Sequence, residues 1–141
     1  MVAALTVTIT GDKAVSRRLD AVGRELAGKG IDVALRAAAL IPMNAAKRDA
    51  PYITGNLRKS IHVGGYGDGL EGGTTGTNIG MPSQKHTVAV GTNVVYARII
   101  EYGGPGRAAK PYLRPALDNN KREIQQEFVD ALRDVLKAAL R

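Results

Sequence analysis

Residues 31–63 read IDVALRAAALIPMNAAKRDAPYITGNLRKSIHV, and the change of pattern inside this stretch decides the fold class. Up to Asp49, the residues Ile31, Leu35, Ala38, Ile41 and Ala45 fall on one side of a helix. The alanines at 37, 38, 39, 45 and 46 let that helix lie close against a sheet or another helix. Pro42 removes the amide that would bond back to residue 38, which predicts a kink or a break into two shorter helices. Ala50-Pro51 closes the helix, because the residue before a proline is pushed out of the helical region. Thr54-Gly55-Asn56 then supplies turn chemistry, and Leu57 to Val63 reads as one short turn of helix running into a strand.

Toward the N-terminus, Leu5, Val7 and Ile9 alternate with threonines, the period of a half-buried strand that ends at Gly11. Asp12 suits the N-cap of a helix whose apolar stripe is Val15, Leu19, Val22 and Leu26, with Gly28 and Gly30 as its stop. Toward the C-terminus, residues 64–84 are rich in glycine and poor in large apolar side chains, so they are expected to form a mobile excursion from the domain. Lys85 to Thr92 returns to a strand. Asn93 is expected to cap a short helix bearing Tyr96, Ile99 and Ile100, with a strand as the alternative, and Gly103 to Gly106 enforce a loop. Lys110 to Pro115 is extended by its two prolines. From about 115 to 140 a long helix buries Leu117, Ile124, Phe128, Leu132, Val135 and Leu136, with Asp118–Arg122, Asp130–Arg133 and Asp134–Lys137 as surface pairs.

The sum is an α+β domain spanning residues 1–141. A small, mostly antiparallel sheet packs with two helical regions and a long C-terminal helix, and a glycine-rich loop leaves the body. The 141 residues are 44% hydrophobic but only 4% aromatic, which predicts an aliphatic, thinly filled core. The longest apolar run, residues 37–43, is too short to span a membrane, and the threonine-interleaved start does not resemble a secretory signal. With no cysteine there is no disulfide, thiolate nucleophile or cysteine metal site.

Chemistry finds few handholds. His62 and His86 flank the glycine segment without metal-ligand spacing and read as surface histidines. Ser16, Ser60 and Ser83 sit in no nucleophile elbow, and the glycine segment lacks the lysine of a phosphate-binding loop. Glu101 reads as a charge at a helix end. Neither a catalytic residue nor a cofactor or metal is expected. The formal net charge of +7 falls mostly in residues 1–63, where ten basic groups stand against five acidic ones. Arg17, Arg18 and Arg24 on the first helix, with Lys47 and Arg48 ending the second, make a backbone-only contact with DNA the main alternative function, although bases would find few aromatic partners.

Four segments together resemble a known family: Ala50-Pro51; Thr54-Gly55-Asn56-Leu57-Arg58-Lys59-Ser60-Ile61; Val90-Gly91-Thr92 with Tyr96-Ala97 and Glu101-Tyr102-Gly103; and Pro111-Tyr112-Leu113-Arg114-Pro115-Ala116-Leu117. In order and spacing, over roughly residues 30 to 120, they are similar to blocks of the neck, head-tail connector and tail-completion proteins of long-tailed, siphovirus-type bacteriophages. The family-motif positions are Pro51, Thr54, Gly55, Leu57, Arg58, Tyr96, Glu101, Gly103 and Pro115. Departures are Tyr112 where phenylalanine is usual, Pro42 in the preceding helix, and the enlarged glycine excursion.

The resemblance implies a virion component without catalysis. It would assemble as a ring, commonly six-fold, at the head-tail junction or tail end after folding in the host bacterial cytoplasm. Its implied partners are further copies of itself and neighbouring head-closure, tail-terminator or tail-tube proteins, with non-specific contact to genomic DNA open and no membrane. Two sets of subunit-contact residues follow. Leu70, Ile79 and Met81 are the sizeable aliphatic side chains of the excursion, which would order on a neighbour. Tyr112, Leu113 and Arg114 are held rigid between prolines, so they either enter a neighbour's groove or, for Tyr112 and Leu113, cover the domain's own core. The first option implies that Tyr112→Ala with Arg114→Ala harms assembly more than subunit stability.

Overall fold

The computed structural model describes residues 12–52, 55–65, 82 and 84–140. The strand expected at 5–10, the turn residue Thr54, and the excursion residues Leu70, Ile79 and Met81 lie outside the described residues. Helix α1 (Asp12–Glu25) leads through a kink (Leu26–Gly30) into α2 (Ile31–Asp49). Gly28 breaks the first helix with non-helical angles (φ −89°, ψ −127°), as its position suggested. α2 is one continuous helix across Pro42, so the break into two helices does not occur. The small side chains Ala38, Ala39, Ala45 and Ala46 bury one face of α2 along with Pro42 itself, and this packing offsets the one lost hydrogen bond.

Next come α3 (Asn56–Ser60), β1 (His62–Gly65), β2 (Val88–Gly91), α4 (Ala97–Tyr102), α5 (Leu113–Asn119) and α6 (Lys121–Ala139). β1 and β2 pair antiparallel with His62 opposite Gly91 and Gly65 opposite Val88. Among the described residues the sheet has these two strands, and it packs on α2. Gly64 and Gly65 therefore belong to the strand and not to the excursion. Lys85 and His86 lie in a turn ahead of β2, with His86 in the left-handed region (φ 57°) and its Nδ1 3.1 Å from Asp32 Oδ1.

The C-terminal helix differs from expectation in its bounds, its burial and one of its surface pairs. It starts at Leu113 and is interrupted at Asn120 (φ −108°, ψ 14°), whose side-chain amide donates to the Ala116 carbonyl left without a helical partner (2.7 Å), while its own carbonyl accepts the first bond of α6 from Ile124. No residue of α6 is fully buried, and Leu117 is 51% exposed. Asp118 pairs with Lys121 and not with Arg122, while the Asp130–Arg133 and Asp134–Lys137 pairs form.

The core is as aliphatic and small as composition implied. Ala45, Ala46, Ala50, Leu57, Ile61, Ile100 and Ala116 surround one large aromatic side chain, Tyr112. Inside it runs a chain of hydroxyls. Ser60 Oγ donates to the Leu57 carbonyl (2.8 Å), Thr92 Oγ1 shares a hydrogen bond with Ser60 Oγ, and Thr92 Oγ1 accepts the Val94 amide (3.2 Å). These bonds tie α3 to the segment leaving β2. Ser60→Ala leaves the Thr92 hydroxyl without its partner in a buried site, so the variant is expected to lose about 1–2 kcal/mol of stability in denaturant titrations.

Candidate functional site: an apolar groove beside the Glu101 clamp

α4 forms where expected but buries Ala97, Ile100 and Glu101. Tyr96 and Ile99 face outward, and Asn93 caps nothing, its amide oxygen being buried without a partner among the described residues. Gly103 ends the helix with φ 82°, a conformation an L side chain rarely adopts, and a Cβ there would stand 3.1 Å from the Arg107 carbonyl and the Ala109 amide. The chain then makes a small hairpin closed by reciprocal Gly104–Arg107 bonds and returns over α4, where the Lys110 amide donates to the Ile100 carbonyl (2.7 Å).

That return places three backbone amides on one carboxylate. Glu101 Oε2 accepts from Tyr112 N (2.8 Å) and Leu113 N (3.0 Å), and Oε1 accepts from Arg114 N (2.9 Å). These are orphan donors at the start of α5, and Pro115, the next residue, has no amide to satisfy. Burial raises the Glu101 carboxyl, but the amides of Leu113, Tyr112 and Arg114, helped by the Arg114 charge, outweigh it and hold the group below the ordinary carboxylate range. Glu101 does stand at a helix end, as its sequence position implied, and there it is a buried structural anion.

The other block residues gather at the far end of α2. Arg58 Nε donates to the Ala50 carbonyl (2.8 Å), and its guanidinium lies 5.4 Å from the centre of the Tyr52 ring. Gly55 (φ 75°) turns the chain against that ring, Leu57 fills the core, and Pro51 follows the closed end of the helix. Tyr112 is 1% exposed and belongs to its own core, which removes it as a subunit contact in this conformation; Leu113 is half-buried against that core, and Arg114 is exposed. His62 is not a surface histidine either. It is half-buried, its Nδ1 bonds the Ser60 carbonyl, and its Nε2 is buried and unpartnered among the described residues. Among the described residues no group of three His, Cys, Asp or Glu could hold a metal, and no helix is long and apolar enough to cross a membrane.

What sequence reasoning missed is a groove of about 770 Å³ between α2, β2, α5 and α6, with α4 and the Glu101 clamp at one side. Leu35, Pro42, Val90, Leu117, Ile124 and Phe128 make its wall predominantly apolar. Leu117, Ile124 and Phe128, three of the residues expected to seal the C-terminal helix against the core, line this opening instead. Helical periodicity finds such a stripe but does not say whether the chain has enough apolar surface elsewhere to cover it.

The family model described as "Bacteriophage HK97-gp10, putative tail-component" matches residues 13–103. The chain belongs to the HK97-gp10-like family. The match runs from α1 to the glycine that ends α4 and takes in the blocks around Gly55, Gly91, Tyr96 and Glu101; it stops before Pro111. Membership makes the chain a tail-related structural component of a bacteriophage. No curated protein and no solved structure matches it. In this HK97-gp10-like chain the described block residues act as folding devices, through a left-handed turn, a carboxylate clamp and a guanidinium tie.

Proposed function

We propose that this protein is a ring-forming, non-catalytic component of the phage neck, placed at the head-tail junction or the tail end. The observation that carries the reading is the amount of apolar surface the subunit leaves open. Val15, Leu19, Val33, Leu40 and Leu117 are all about half exposed or more, and none of the residues of α6 is buried. A small, alanine-rich core gains stability by packing on other subunits, and open patches of this kind mark such contacts. Membership in a tail-component family supports the virion setting. The neighbours in this reading are further copies of the chain and the head-closure, tail-terminator or tail-tube proteins above and below it. The exposed Arg17 and Arg18 would meet DNA phosphates without reading sequence.

Size-exclusion chromatography with light scattering, joined to protein analysis of purified particles, tests the reading. The expected result is a discrete multimer, alone or after mixing with its head or tail partners, and presence of the chain in particles. A chain that stays monomeric in those mixtures and is missing from particles ends it.

A further inference from the structure

α1 stands away from the body of the protein over part of its length. Every side chain from Val15 to Asp20 is exposed, on all sides of the helix, although Val15 (58%) and Leu19 (65%) are large and apolar. Val22, one turn on, is half-buried, and α1 touches α6. A lone helix of 14 residues is marginal in water, so this stripe needs a cover. The groove between α2, β2, α5 and α6 needs an occupant, and among the described residues none of α1 lines it.

We infer that the groove of one copy receives the Val15, Leu19 and Val22 stripe of α1 from a second copy. This rests on the ring reading above and names the contact that builds it. Anchors at i, i+4 and i+7 lie on one side of a helix and span about 10 Å, the pattern by which an amphipathic helix docks in an apolar groove. One surface is convex, the other concave, and both belong to the same chain. Such a contact is heterologous: each copy gives its stripe to one neighbour and its groove to the other, and the chain of contacts closes as a ring or continues as a filament. Arg17 and Arg24 lie across the helix from the stripe and stay in solvent.

The area argues for closure. A helix about 21 Å long and 10 Å across offers roughly 300 Å² on one face, well under the ~800 Å² per partner of a standard stable interface. A single stripe-in-groove pair is therefore weak, and copies must use both surfaces together.

The absence of cysteine makes the test direct. Leu19→Cys and Leu117→Cys both change exposed residues, and a short bis-maleimide links thiols brought together. The proposal expects each single variant to stay uncrosslinked, an equimolar mixture to give a covalent dimer, and the double variant to give a ladder ending in a closed species. Leu19→Asp should abolish the multimer seen by light scattering while leaving the subunit folded, with the helical circular dichroism of the parent and a cooperative thermal transition. Self-linking of a single variant, or an internally linked monomer from the double variant, would overturn the proposal. A multimer in light scattering that does not crosslink, or that survives Leu19→Asp, places the interface elsewhere and leaves the ring reading standing. A chain monomeric alone and with its head and tail partners removes both.

Discussion

Glu101→Ala is expected to lower the stability of the subunit by about 3 kcal/mol or more. Three amides lose their acceptor at once, and each buried donor left unpaired costs about 1–3 kcal/mol. For a domain of this size that is a fall of roughly 10 °C in Tm. Glu101→Gln keeps one carbonyl acceptor but sets an NH2 donor among backbone donors, so it recovers only part of the loss. The pH dependence follows from the direction of the carboxyl's shift. Because folding holds Glu101 below the ordinary value of 4.5, its contribution is present above that pH and is lost as pH falls through the folded value. Thermal melts of the parent between pH 3 and 7 should show this acid limb, and Glu101→Gln should flatten it. A Glu101→Ala variant that melts with the parent would dismiss the clamp as a stabilising element.

Tyr112→Ala is expected to cost about 3–5 kcal/mol, because it removes a large aromatic side chain that, among the described residues, is buried in a core otherwise built from aliphatic ones. Arg114→Ala, an exposed side chain whose backbone amide makes the structural bond, should stay within about 0.5 kcal/mol of the parent. The double variant should therefore fail by unfolding and not by a selective assembly defect, which reverses the expectation drawn from the proline-bounded segment alone. The Tyr112 phenol adds an alkaline signature. Burial, then the charge of Glu101 and the neighbouring Tyr96, push it from 10.0 to about 12. A group raised on folding contributes stability below its unfolded value, lost as pH rises through the folded one, so the loss falls between pH 10 and 12. Tyr112→Phe should remove that limb while keeping the ring in place. Urea titrations of the four variants at pH 7 and pH 11 separate these effects, and an unchanged urea midpoint for Tyr112→Ala at pH 7 would refute the core assignment.

Much of the architecture is written locally. The helical run from Ile31 to Asp49, the stop at Gly28, the turn of helix before β1, and the strand around Val88 to Gly91 each follow from periodicity, glycine and proline over a few residues. Such signals act between near neighbours, so they can be read without knowing what lies across the domain. The order of the blocks around Gly55, Gly91 and Glu101 likewise pointed to a phage tail or neck family, and the family match over residues 13–103 bears it out.

Sequence by itself thus determined the fold class, most element positions and the family of this protein. Only the tertiary structure decided which face each element buries. Glu101 became a buried clamp because the loop after Gly103 returns over α4 and delivers three amides, a meeting of residues 11 to 13 positions apart. Tyr112 went into its own core because the same return sets it among Ala97 and Ile100 of α4, while Ile124 and Phe128 of α6, equally apolar in pattern, were left lining a groove. Hydrophobic periodicity sets a direction around a helix axis. Burial depends on how much surface the rest of the chain can bring to meet it, and a core made largely of alanine brings too little to close the molecule on its own.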